Sequence, residues 1–113
     1  MPIYNAPVKD IKFVLNDLLG LDKMTNMPGF EEATPDLVEA VLEEGAKLVE
    51  EVIQPLNQVG DTEGCKWNDG EVTTPTGFKE AYDAYCEGGW GGIDIPEAYG
   101  GQGLPHTIGV AVA

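Results

Sequence analysis

The residues that could do chemistry are few, and their spacing works against most of what they suggest. One histidine, His106, and two cysteines, Cys65 and Cys86, lie far apart along the second half of the chain. A zinc site usually draws its ligands as close pairs, and these three offer none. No nucleophile–base pair can be assembled from one histidine with no partner at suitable spacing. Both cysteines read as small buried or half-buried hydrophobes, ahead of a disulfide or a reactive thiol. His106 reads as a surface or cap residue.

The acids are more numerous and no better arranged. The run Asp61-Thr62-Glu63-Gly64-Cys65 invites comparison with a calcium loop. It fails at position five, which is Cys65. It fails again at position six, Lys66 in place of Gly, and at position twelve, Val72 in place of Glu. Glu43-Glu44 and Glu50-Glu51 are adjacent pairs on the polar side of a helical pattern. They read as a solvated face in preference to acid–base partners. Asp94 and Glu97 are the only acids in the glycine-rich stretch Trp90–Leu104, and Glu97 reads as a loop or cap residue. That stretch carries no phosphate motif. After Gly101-Gln102-Gly103, a dinucleotide loop needs glycine where His106 stands, and no Gly-Lys-Ser/Thr occurs. The residues themselves therefore supply no catalytic, cofactor-binding or metal-binding site.

Charge narrows the partners. Six Lys+Arg face twenty Asp+Glu, for a net −14, and none of the six is arginine. Nucleic acid needs cations at its phosphates, and an anionic membrane surface would repel this chain. No apolar run approaches a membrane span, and the first residues show no basic-then-apolar signal. A reduced, cytoplasmic protein is expected.

The positioning elements read as an all-α class: a small bundle of three to four helices with a short hairpin and a Gly-rich loop, incomplete at the C-terminus. Val8, Ile11, Leu15, Leu18 and Leu19 fall at helical spacing, with Gly20 as the stop. Phe13 and Val14 widen that stripe and predict burial on more than one face. Residues 22–34 read as a loop around Pro28-Gly29. Thr34-Pro35 predicts an N-cap and first-turn proline for a second helix running to about Val59. Gly45 on its apolar stripe suggests close approach of another backbone, and Pro55 should kink or end it. Gly60-Asp61 and Glu63-Gly64 read as turns. Asn68-Asp69-Gly70 predicts a hairpin that leans on the helices through Trp67. Thr74-Pro75 repeats the cap-plus-proline signal for a third helix carrying Phe78, Ala81, Tyr82 and Tyr85. Gly88-Gly89 ends it. The aromatics Phe78, Tyr82, Tyr85, Trp90 and Tyr99 are expected to pack under the Gly-rich loop. Pro105 opens a fourth helix, apolar and uncapped at Ala113, which suggests that more chain follows in a parent protein.

The stretch Gly89-Trp90-Gly91-Gly92-Ile93-Asp94-Ile95-Pro96-Glu97-Ala98-Tyr99-Gly100-Gly101-Gln102-Gly103-Leu104 resembles a segment of acyl-CoA dehydrogenases. There a helix ends at Gly-Trp and continues Gly-x-x-x-Pro-Glu-x-Tyr-Gly-Gly-x-Gly-Leu. The start, Pro2 through Leu15, is similar to the extra N-terminal piece of a long subfamily that includes 3-methylmercaptopropionyl-CoA dehydrogenases. Pro55-Leu56-Asn57 through Thr74-Pro75 fits the same subfamily. The resemblance implies an N-terminal extension with one helix over 1–33 and a truncated N-terminal helical domain over 34–113, effectively one domain. It implies a parent in which FAD takes a hydride from an acyl-CoA thioester after a glutamate base removes the α-proton. The flavin motifs and the base would lie in the remaining domains of that parent. This segment would be inactive alone and would form a wall of the acyl pocket, with the lining helix at or just after His106–Ala113. Members are usually dimers or tetramers, so a homo-oligomer is implied. The alternative is a free-standing acidic helical module that self-associates or docks on a partner.

Overall fold

The computed structural model describes residues 3–113; Met1 and Pro2, at the head of the stretch quoted above, lie outside them. α1 is Val8–Lys12 and continues as a π-helical turn, Phe13–Leu18. It stops where Gly20 takes a left-handed conformation, φ 63°. Only Leu15 is buried on this helix, while Phe13 is 60% exposed and Leu18 70%. The expectation of burial on more than one face is therefore wrong. The helix has a single neighbouring layer, and Phe13 and Val14 face away from it. Leu21–Asn26 adds a 3₁₀ segment inside what reads as a loop.

α2, Pro35–Lys47, starts as expected. The Thr34 hydroxyl oxygen accepts from the Leu37 N–H at 3.3 Å, and Pro35 fills the first turn. Its buried face carries Val38 and Leu42. Pro55 cannot donate, and its ring crowds the carbonyl four residues back. The helix widens ahead of it: Leu48–Ile53 is π-helical, and the Gln54 N–H donates to the Val49 carbonyl at 2.7 Å. α3, Leu56–Glu63, then runs past the expected stop. Gly60-Asp61 is helical and not a turn; residue 60 is glycine because a Cβ there would lie 2.7 Å from Phe78 Cζ. Glycine is there for packing.

β1, Lys66–Asn68, pairs antiparallel with β2, Glu71–Thr73, in the register Trp67↔Val72. Asp69 and Gly70 both take positive φ, 49° and 84°, as a tight two-residue hairpin turn requires. α4, Phe78–Glu87, begins later than Thr74-Pro75 suggests, after Gly77 at φ 86°. Thr74 is not the cap; Pro75 is buried and precedes a turn. Thr76 is instead tied back to α3, its N–H and hydroxyl donating to Glu63 at 2.9 and 3.0 Å. α5 is His106–Val112.

The core is small: Leu15, Leu21, Ala33, Val38, Leu42, Ile93 and Ile108. It joins α1, α2, the Gly-rich loop and α5. α3, the hairpin and α4 contribute no buried hydrophobe to it. The molecule is a slab of 54 × 35 × 16 Å with a radius of gyration of 16.9 Å. A compact chain of this length would have about 13 Å. No helix among the described residues is long and apolar enough to cross a membrane.

Candidate functional site: the glycine-rich loop and its cavity

The loop Trp90–Leu104 folds as successive tight turns closed by its own main chain. Gln102 N–H donates to the Gly92 carbonyl at 2.8 Å, Leu104 to Ile93 at 2.9 Å and Gly103 to Ile95 at 2.9 Å. This accounts for backbone groups that would otherwise be unpaired beside a core. Gly101 is needed for close approach, since a Cβ there would collide with the Ile95 main chain and carbonyl oxygen. The loop thereby delivers Ile93, 2% exposed, against Ile108, 0% exposed, on α5.

Beside this contact lies a cavity of about 370 Å³, lined by Leu48, Tyr85, Trp90, Gly109, Val110 and Val112 among others. Its volume falls within the range of small-ligand sites. Gly45 on α2 opens its floor: a Cβ there would sit 3.3 Å from Trp90 Cζ3. The close neighbour is thus an indole ring and Val112, not a second backbone as the sequence suggests. At one edge Asp94 Oδ2 and His106 Nδ1 form a close pair. The carboxylate can only accept, so the proton of this pair is carried on Nδ1. His106 beside it holds the Asp94 carboxyl below its ordinary value.

The sequence candidates are placed unevenly. His106 is exposed, as expected, but its pairing with Asp94 is not legible from spacing. Only the closure of the intervening loop brings the two together. Glu97 opens a short 3₁₀ turn, Glu97–Tyr99. Glu43 and Glu51 are exposed. Glu44 pairs with Lys47 at 2.8 Å. Glu50 is not simply solvated; its Oε1 accepts from the Ala6 N–H at 2.7 Å and straps the N-terminal stretch to the second helix. Lys12 and Glu39 form a second strap.

Two expectations fail outright. Cys65 and Cys86 are free and exposed, so neither is a packed hydrophobe. They sit beyond the reach of the small core. The Cys86 thiol, with Tyr85 and Asp83 nearby, pushes the Tyr82 hydroxyl above its ordinary value. Of the aromatics expected under the loop, only Trp90 packs against the core, and Tyr85 reaches the cavity wall. Tyr99 is 83% exposed and Tyr82 66%. No cluster of three or more His, Cys, Asp or Glu suited to a metal occurs among the described residues.

A second, open groove of about 640 Å³ adjoins the cavity across Val49 and Ile53, and is lined further by Leu56, Phe78 and Ala81 among others.

No protein-family profile matches the chain. Three curated proteins do. Over 96% of its length the chain is 38% identical to 3-methylmercaptopropionyl-CoA dehydrogenase of Ruegeria pomeroyi, spanning 18% of that protein. Over 78% it is 33% identical to a butyryl-CoA dehydrogenase of Syntrophomonas wolfei, spanning 15%. Over 96% it is 29% identical to a broad-specificity linear acyl-CoA dehydrogenase of Mycobacterium tuberculosis, spanning 18%. The chain belongs to the acyl-CoA dehydrogenase family, as the counterpart of a segment less than a fifth the length of those relatives.

Proposed function

We propose that the chain is the N-terminal helical part of a flavin-dependent acyl-CoA dehydrogenase and supplies structure, not catalysis, to it. The carrying observation is the match itself: 38% identity along nearly the whole chain, over only 18% of the relative. In this reading residues 1–33 are an extension with one helix, and 34–113 are the helical domain proper. α5 and the Gly-rich loop then form one wall of the acyl pocket, which the apolar lining beside Val110 and Val112 suits. The rest of the parent holds FAD, the base and the phosphates of the CoA substrate, because this segment has too few cations to hold them. The parent works in the cytoplasm as a homo-oligomer.

Two preparations test this. The 113-residue chain alone is expected to purify without flavin and to leave an acyl-CoA thioester unchanged. A polypeptide in which it replaces the 108 matched residues of the Ruegeria protein is expected to bind flavin and oxidise an acyl-CoA. Stoichiometric flavin on the isolated chain would overturn the division of labour. A folded but flavin-free fused polypeptide would overturn the dehydrogenase assignment.

A further inference from the structure

The hairpin is amphipathic and its apolar side is bare. Side chains alternate across a strand, so the pair Trp67↔Val72 faces one side while Lys66↔Thr73 and Asn68↔Glu71 face the other. Trp67 is 73% exposed and Val72 64%, and every strand residue is exposed. The expected lean on the helices through Trp67 does not occur. Two strands alone are marginal in water, so a hairpin of this kind is stabilised by what its apolar face meets. A protruding tryptophan beside a branched aliphatic is also the residue pattern that anchors interfaces.

Charge says what it meets. Asp61 and Glu63 just before the hairpin, and Asp69 and Glu71 within it, stand against one cation, Lys66. On α4, Glu80, Asp83 and Glu87 face Lys79, which is already paired with Asp83 at 2.7 Å. A second copy would bring the same acids against these, on a body of net charge −14. A surface rich in Lys and Arg would be drawn to them.

We propose that the Trp67–Val72 face docks into an apolar pocket rimmed by cations on the polypeptide that accompanies this segment in the longer dehydrogenases. This deepens the segment reading and rests on it. The cations that reading assigns elsewhere, for the phosphates of the substrate, belong to the same accompanying polypeptide. The hairpin is then an intramolecular anchor, and its acids set the orientation of docking.

The test compares Trp67 in two settings: the 113-residue chain alone, and the fused polypeptide described above. A Trp67→Phe version of each isolates its fluorescence from that of Trp90. Acrylamide quenching of Trp67 is expected to be about fivefold or more weaker in the fused polypeptide, because the centre of an interface excludes solvent. Equal quenching with flavin bound overturns the docking and leaves the segment reading intact. Protected Trp67 without flavin does the reverse. Should the fused polypeptide fail to fold, the Ruegeria polypeptide lacking its matched residues is added to the isolated chain and affinity is measured by calorimetry. Affinity is expected to fall about tenfold or more in Trp67→Ser and with added salt, and to be unchanged in Leu18→Ser, an equally exposed residue elsewhere. Absence of binding, or loss in Leu18→Ser alone, overturns the proposal. Protection of Trp67 in the isolated chain as its concentration rises also overturns it, since the occupant is then a second copy.

Discussion

The two hairpin-like reversals in this chain solve the same problem in opposite ways. The Gly-rich loop between α4 and α5 closes on itself through main-chain bonds and buries Ile93 against Ile108. The β1–β2 hairpin between α3 and α4 also closes through main-chain pairing, yet every strand residue is exposed. Main-chain closure is thus common to both, and side-chain burial separates them. The loop end is a site built within the chain. The hairpin end is a surface whose stability depends on something outside it.

The strongest way to break that contrast is at the glycines. Gly101→Ala forces a Cβ into the Ile95 main chain and should cost about 3 kcal/mol or more. Gly70→Ala has open space and strains only its φ of 84°, at about 1–2 kcal/mol. Urea denaturation of both variants measures the difference, and equal costs would erase the distinction. Next in size is side-chain truncation. Ile108→Ala should cost about 2–4 kcal/mol. Val72→Ala should stay within about 0.5 kcal/mol in the isolated chain. A third comparison sets the two Thr-Pro pairs against each other. Thr34→Ala should lose about 1 kcal/mol of stability by removing a cap, and Thr74→Ala close to nothing.

The smallest effect concerns pH at the loop end. Asp94 is held below its ordinary value by His106, so the folded state binds its proton less readily than the unfolded state. The stabilising contribution is complete above the ordinary carboxylate value of about 3.9 and is lost as pH falls through the lower folded value. Asp94 is exposed enough for the effect to be slight. Asp94→Asn should flatten this part of the acid limb in a series of melts, while Glu71→Gln at the hairpin should not. A steeper limb in Asp94→Asn would reverse the assigned sign.

These comparisons also mark where sequence reasoning works. The Thr34 cap, the Asp69-Gly70 turn, the stop at Gly88-Gly89 and the start of α5 are local events set by one or two residues. They were legible. Thr74-Pro75 carries the same letters as Thr34-Pro35, but Gly77 resets the chain and Glu63 captures Thr76, thirteen residues away. Gly60 looks like a turn because glycine serves both turns and tight packing, and only the position of Phe78 tells them apart. At the candidate site, the start of the helix that lines the cavity was legible at Pro105. The Asp94–His106 pair was not, because two side chains on either side of a loop meet only if that loop folds back. Trp67 failed for a related reason. Alternation shows that a strand has an apolar face, and says nothing of what covers it.

The wide turn ahead of Pro55 has a consequence for how this helix tolerates changes in length. Moving a hydrogen bond from four residues back to five accommodates one surplus residue, and each residue of an α-helix turns the chain by about 100°. The segment Leu48–Ile53 therefore acts as a phase adjuster between α2, which faces the core, and Ile53 and Leu56, which face the open groove. Removing one residue within it should let α2 continue in ordinary register, with the later side chains swung to a different side. A homologue one residue shorter there would keep its buried core and lose the groove.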